Sequence, residues 1–219
     1  QQAQLIGGHT LESRSEPPHS PSLGVQLSLC VNGRSAAPWS KGGIAHGDVL
    51  LLSRPLGTGV LFAAAMAGAC QPEALDTVLQ HMSRSQHRLL DQLEPHRQAI
   101  HACTDVTGFG LLGHLGEMLA SSSPLRVTLW ANRIPAYPEA MDRLAQGYAS
   151  SLAPANRRGW QWLDGPIQLD ETPSQALLEL LVDPQTCGPL VLACPQTTAQ
   201  ALTAEGPWIP IGNATAAHG

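Results

Sequence analysis

Short apolar strands alternate along this chain with segments of helical periodicity. Residues 49–52 form a continuous apolar run, and a glycine-containing turn separates them from an alanine-rich segment that starts at Val60. The same kind of pattern predicts strands at residues 99–103, 127–130, 190–194 and 208–211, and helices at residues 60–69, 72–93, 108–120, 138–146, 173–181 and 197–204. This order predicts an α+β domain, a layered α/β arrangement in which helices pack on one mixed sheet.

Composition excludes several classes of protein. The 219 residues are 43% hydrophobic and 13% charged, which suits a globular protein and excludes a charge-driven disordered one. The net charge of -5 argues against a surface that neutralises nucleic-acid phosphates or acidic lipid head groups. The longest apolar run is too short to span a bilayer, and five cysteines without a CxxC pair suit a reducing compartment. We therefore predict a cytoplasmic protein with no nucleic-acid or membrane partner.

The sharpest local signal is the segment Thr-Asp-Val-Thr-Gly-Phe-Gly at residues 104–110. Asp105 follows a predicted strand between the hydroxyls of Thr104 and Thr107, and Gly108 leads into a predicted helix. A carboxylate, two hydroxyls and a closely approaching backbone suit Mg²⁺ and phosphate oxygens. The residues alone equally allow Asp105 to be the N-terminal cap of that helix.

For other polar segments the sequence allows a purely structural role as well as a functional one. Glycine turns at residues 7–10 and 56–59 could offer N–H groups to an anion, but either can be only a tight turn. His114 and Glu117 lie one helical turn apart, and two ligands are too few for a metal site, which favours a structural role. The pattern of residues 183–188 indicates a polar connection between a helix and a buried strand. Cys187 has no basic residue nearby in the sequence that could activate it as a nucleophile.

Five segments carry a family resemblance through their order and spacing. They are GGHT at residues 7–10, LLLSRPLGTGVLFAA at 50–64, TDVTGFGLLGHLGEM at 104–118, the Asn-Arg pair at 156–157 and LLVDPQTCGPLVLA at 180–193. Together they resemble selenophosphate synthetase, also called selenide, water dikinase. The resemblance implies the fold of aminoimidazole ribonucleotide synthetase, in which ATP lies between an N-terminal α/β domain and a C-terminal α+β domain. Residues 1–45 then correspond to the end of the N-terminal domain and residues 46–219 to the C-terminal domain.

The resemblance also implies an activity and a set of site residues. Family members convert ATP, selenide and water to selenophosphate, phosphate and AMP, with Mg²⁺ bridging the phosphates. Asp105 is implied as a magnesium ligand, and Gly7, Gly8, His9 and Thr10 as an ATP contact that comes from the partner subunit of a homodimer. Candidate supporting residues are Thr104, Thr107, Gly108, Asn156, Asp183 and Thr186.

Two departures from the family pattern limit what this chain is expected to do alone. The family's catalytic Cys or selenocysteine, a nearby Lys and further magnesium-binding aspartates would all lie upstream of Gln1, so no catalytic residue is assigned here. The family's DPQT is usually followed by Ser-Gly-Gly, whereas Cys187, Gly188 and Pro189 stand here, and proline removes an N–H. The alternatives are a non-catalytic folding or dimerisation domain of a fused polypeptide, or another ATP-dependent enzyme of the superfamily that acts on a purine intermediate or thiamine phosphate.

Overall fold

The computed structural model describes residue 30 and residues 32–35, 37–122, 124–163 and 165–217. The chain divides into two compact units, Gln1–Ala37 and Pro38–Gly219. The predicted glycine turn at residues 7–10 and nearly all of a further strand, predicted at residues 23–31 from its alternating apolar residues, lie outside the described residues. The features below belong to the second unit.

One mixed sheet forms the centre of the second unit. Its strands in the described residues are β1 Asp48–Leu52, β2 Ala102–Asp105, β3 Leu125–Leu129, β4 Ile167–Leu169, β5 Leu190–Pro195 and β6 Ile209–Ala216. Their order across the sheet is β2-β5-β1-β6-β3-β4. Neighbouring strands are antiparallel except for the parallel pair β3 and β4. The predicted layered fold with a mixed sheet is confirmed.

Helices follow most of the strands. They are α1 Thr58–Met66, α2 Pro72–Ser83, α3 His87–Leu93, α4 Gly110–Ala120, α5 Ala140–Ala145, α6 Ala153–Asn156, α7 Gln175–Val182 and α8 Gln196–Glu205. Short 3₁₀ helices occupy Glu94–Ala99, Ala131–Arg133 and Arg157–Trp162. Within the described part of the chain, no helix has the length and apolar character needed to cross a membrane.

Central strand β1 is apolar throughout because both of its faces are covered. Leu50 and Leu52 belong to a large core that includes residues of α1, α2, α4, α5 and α7. Val49 and Leu51 belong to a smaller core that includes residues of α3 and α8. Successive side chains of a strand point to opposite faces, so the two cores lie on opposite sides of the sheet. A continuous apolar run is what a strand buried on both faces requires.

The prediction of one helix over residues 72–93 is wrong, because the helical conformation is interrupted between α2 and α3. Val78 of α2 belongs to the large core, whereas Leu93 of α3 belongs to the small core on the other side of the sheet. One continuous helix could not pack against both faces of the sheet. Gln86 stabilises the break, because its side chain accepts a hydrogen bond from Ser53 Oγ at 3.2 Å and donates one to the Gly188 carbonyl at 3.0 Å.

Two predicted strands differ from the structure, and one observed strand was not predicted. The strand predicted at residues 99–103 begins later, as β2, because a 3₁₀ helix occupies Glu94–Ala99. The three-residue strand β4 was not predicted, since it is too short to show a period. Strand β6 extends to Ala216 and not to residue 211, because its small residues from Gly212 onward pair with β3 although they carry little apolar signal.

Candidate functional site

Three motif loops meet at one end of the sheet. They are residues 53–57 after β1, residues 106–109 after β2, and residues 183–189 before β5. Both β1 and β2 pair with β5 in antiparallel register. The ends of β1 and β2 therefore lie beside the start of β5, and the topology brings together three segments that are far apart in the sequence.

Gln185 connects all three loops. This side chain is only 4% exposed, and its Oε1 accepts hydrogen bonds from Gly57 N at 3.0 Å and from Thr58 N and Oγ1 at 3.2 Å. The Gln185 backbone N–H donates to the Thr107 carbonyl at 3.0 Å. Sequence reasoning did not single out this residue, although it lies in the DPQT segment that carries the resemblance.

Asp183 is buried against the start of α1 at 1% exposure. Its Oδ2 accepts hydrogen bonds from Gly59 N at 3.0 Å and from Gln185 Nε2 at 2.9 Å. A Cβ at Gly59 would lie 2.6 Å from Asp183 Oδ1, so only glycine fits there. Burial raises the pKa of Asp183 from 3.8 to about 7, against the opposing effect of hydrogen bonds from Val60, Gln185 and Gly59. The buried side chain of this candidate supporting residue therefore connects the start of α1 to the loop before β5.

The raised pKa of Asp183 predicts that stability falls as pH rises. Between about pH 4 and pH 7 the native state holds a proton that the unfolded chain has lost, so the free energy of unfolding decreases with pH across this range. From pH 5 to pH 8 we expect a loss of about 2–3 kcal/mol from this group. The measurement is denaturant unfolding of the full chain and of Asp183→Asn at both pH values.

The difference between the two proteins isolates this contribution. Asp183→Asn keeps every other titrating group. One of these is His114, whose pKa is lowered by burial, so its contribution to the free energy of unfolding increases with pH. The asparagine amide cannot titrate, so the variant should lack the decrease. An equal dependence on pH in both proteins would contradict the assignment of a proton to Asp183.

Asp105 lies at the end of β2 with an exposed side chain. The first residue of α4 is Gly110, its N-cap residue is Phe109, and no side chain caps the helix. The capping interpretation of Asp105 is therefore wrong. Across residues 37–122, 124–163 and 165–217, no cluster of three His, Cys, Asp or Glu side chains could hold a metal. One exposed carboxylate still fits Mg²⁺, which commonly takes one or two carboxylates together with phosphate oxygens and water.

The loop that follows Asp105 is held by hydrogen bonds from Asn156. Asn156 Nδ2 donates to the Gly108 carbonyl at 2.7 Å and to the Val182 carbonyl at 3.0 Å, which ties this loop to the end of α7. Thr104 Oγ1 donates to the Asp105 carbonyl at 3.4 Å. Asn156 therefore connects Gly108 to α7, whereas the Thr104 hydrogen bond is local to β2. The candidates Gly7, Gly8, His9 and Thr10 lie outside the described residues.

The loop before β5 carries the departures from the family pattern. Thr186 is exposed, and its N–H donates to Thr58 Oγ1 at 2.9 Å. Cys187 has φ 49°, the left-handed region that favours glycine, and its carbonyl accepts from Arg54 Nη1 at 3.3 Å. A Cβ at Gly188 would lie 2.1 Å from the Val106 carbonyl oxygen. Pro189 contributes its carbonyl, which accepts from Val106 N at 2.8 Å, so the missing N–H does not prevent this contact between loops.

Comparison with known families assigns the part of the chain that contains these three loops to a family. Residues 45–219 match the family model for AIR synthase related protein, C-terminal domain. The chain belongs to this family. The chain is 33% identical to the selenide, water dikinase of Desulfitobacterium hafniense (strain DSM 10664 / DCB-2) over 202 residues. This alignment covers 90% of the chain and 54% of the relative. The chain is 34% identical to the selenide, water dikinase of Nitratidesulfovibrio vulgaris (strain DP4) over 197 residues, which cover 88% and 52%.

This AIR synthase related chain thus spans about half the length of the curated relatives it matches. Solved structures show the same fold. Thiamine-monophosphate kinase from Stenotrophomonas maltophilia K279a superposes with a TM-score of 0.56 at 17% identity, covering 84% of this chain and 52% of the kinase. Hydrogenase maturation protein HypE superposes with a TM-score of 0.52 at 21% identity, covering 84% and 49%. At these identities the likeness concerns the fold alone.

Proposed function

We propose that this chain is part of a selenide, water dikinase, which makes selenophosphate, AMP and phosphate from ATP, selenide and water. One observation carries the proposal: three of the five segments that resemble the dikinases meet through Gln185, at the end of β2 where Asp105 is exposed. Identity of 33% with a named dikinase along 90% of this chain supports it. A structure of HypE in complex with ATP, with a TM-score of 0.50 at 21% identity, shares the fold.

Asp105 is the proposed magnesium ligand of this chain. Bound Mg²⁺ would neutralise charge on the phosphates of ATP, and positioning and charge stabilisation carry most of the catalysis in phosphoryl transfer. The exposed carboxylate of Asp105 would hold the ion. Thr107, Gly108 and Gln185 would keep the loop in place through the hydrogen bonds described above, and Thr104, Asn156, Asp183 and Thr186 would support them.

The rest of the proposed site comes from other parts of the enzyme. Gly7, Gly8, His9 and Thr10 would contact ATP bound in the partner subunit of a homodimer. Residues 1–45 would complete an N-terminal domain, and residues 46–219 would be the C-terminal domain. No catalytic nucleophile is assigned to this chain, so we expect it to be inactive alone, and the complete enzyme to act in the cytoplasm.

Phosphorus NMR of the full polypeptide tests the proposal. With Mg·ATP and selenide, signals of selenophosphate and AMP should appear, and the 219-residue chain alone should give neither. A parallel reaction with thiamine phosphate in place of selenide is the control. Phosphorylation of thiamine phosphate with release of ADP would identify a different enzyme of the superfamily. No consumption of ATP with selenide, thiamine phosphate or a purine intermediate would identify a non-catalytic domain.

A further inference from the structure

His114 contacts the loop of residues 106–109, which follows Asp105. It belongs to α4, is 5% exposed, and its Nε2 lies 3.1 Å from Thr107 N and 3.2 Å from Thr107 Oγ1. A backbone N–H can only donate, so Nε2 must be the unprotonated nitrogen that accepts. In a neutral imidazole the proton is then on Nδ1.

Glu117 faces the other nitrogen of this imidazole. It lies one turn further along α4, and its Oε2 lies 3.5 Å from His114 Nδ1. This is an electrostatic contact, since Nδ1 is buried and makes no hydrogen bond. A carboxylate beside Nδ1 favours the tautomer that carries a proton there. Glu117 also contacts Lys41 Nζ, and the segment with Lys41 is attached to the end of α4 because Gly43 N donates to Ser122 Oγ at 3.2 Å.

The Thr107 peptide is consequently held from two sides. Its N–H donates to His114 Nε2, and its carbonyl accepts from Gln185 N at 3.0 Å. The preceding residue, Val106, donates its N–H to the Pro189 carbonyl at 2.8 Å. Three bonds on two adjacent residues restrict the backbone that immediately follows Asp105.

We propose that His114 and Glu117 are positioning residues for Asp105. The negative charge of Glu117 favours the Nδ1–H tautomer of His114, and Nε2 holds the Thr107 amide, so that the backbone after β2 keeps Asp105 in one orientation. The pair His-x-x-Glu therefore serves as an anchor for a loop and not as a metal site. The role given to Asp105 rests on the proposed function, whereas the tautomer and the hydrogen bond do not.

Nitrogen NMR of the imidazole in the wild-type chain tests the tautomer directly. Long-range correlation spectra should show a protonated Nδ1 and an unprotonated Nε2 for His114 at neutral pH. An Nε2–H tautomer would overturn the proposal, because that nitrogen could not accept from Thr107 N. This measurement needs no variant and no enzymatic activity.

Hydrogen exchange of the Thr107 amide tests the anchor. His114→Leu removes the acceptor at similar size, and we expect the Thr107 amide to exchange at least about tenfold faster. His114→Gln supplies an amide oxygen as acceptor and should restore most of the protection. The Leu192 amide in β5 is the internal reference and should be unchanged. Equal exchange of Thr107 in wild type and His114→Leu would contradict the anchor.

Glu117→Gln is the second variant, should the leucine variant fail to fold. Glu117 is about half exposed, so its loss leaves packing intact, and we expect a larger share of the Nε2–H tautomer with faster exchange at Thr107. Glu73→Gln, on exposed α2 surface, is the matched control and should change neither. An unaltered tautomer in Glu117→Gln would remove Glu117 from the proposal.

Activity of the full polypeptide provides a separate measurement. His114→Leu should raise the Mg²⁺ concentration for half-maximal selenophosphate formation by about tenfold, with rescue by His114→Gln. An unchanged Mg²⁺ requirement in an active enzyme would contradict the role toward Asp105. If the wild type makes no selenophosphate while the tautomer and exchange results hold, the proposed function fails and the anchor stands.

Discussion

Asp105→Asn in the full polypeptide is expected to lower selenophosphate formation by at least about a hundredfold. Asparagine keeps the size of the side chain but removes the negative charge that would hold Mg²⁺. Asp105 is exposed, so the free energy of unfolding should change by less than about 0.5 kcal/mol. Phosphorus NMR of the reaction and denaturant unfolding of the same preparation measure the two quantities.

The control for this variant is Asp91→Asn. Asp91 is an exposed aspartate of α3, outside the three motif loops, and its replacement changes the net charge by the same amount. We expect activity of this variant to equal that of the wild type. Unchanged turnover of Mg·ATP in Asp105→Asn would show that Asp105 is not the ligand, and an equal loss in both variants would point to an effect of net charge.

Gly110→Ala is expected to lower the free energy of unfolding by about 3 kcal/mol or more. Gly110 has φ +70°, in the left-handed region, and an added Cβ would lie 2.7 Å from the carbonyl carbon of Val182. The methyl group would therefore strain the residue and collide with backbone at the end of α7, which cannot move aside as a flexible side chain could. Denaturant unfolding of the full chain measures the effect.

Gly108→Ala is the matched control for stability in the same loop. A Cβ there meets nothing within 4 Å, and the backbone is outside the left-handed region. We expect a change of no more than about 0.5 kcal/mol. A similar loss in both variants would mean that the loop requires glycine for general flexibility, and that the approach of α4 to α7 is not the cause.

Much of the fold follows from local patterns in the sequence. The apolar run of β1 and the glycine turn before α1 show where the first strand ends and the first helix begins. The predicted α4 and α7 begin within two residues of their observed starts, since glycine and proline limit where a helix can begin. The break between α2 and α3 could not be predicted in this way, because both halves show helical periodicity and only the sheet between the two cores separates them.

The candidate site divides in the same manner. The motifs TDVTGFG and DPQT are local, so the sequence by itself determined which segments carry the resemblance and that Asp105 lies near the end of a strand, where the structure has it as the last residue of β2. Only the tertiary structure decided that Gln185 joins Gly57 and Thr58 to Thr107, and that His114 holds the Thr107 amide. Gln185 and Gly57 are 128 residues apart. Hydrogen bonds between such distant residues depend on how β1, β2 and β5 pair in the sheet, and no local pattern in the chain encodes that pairing.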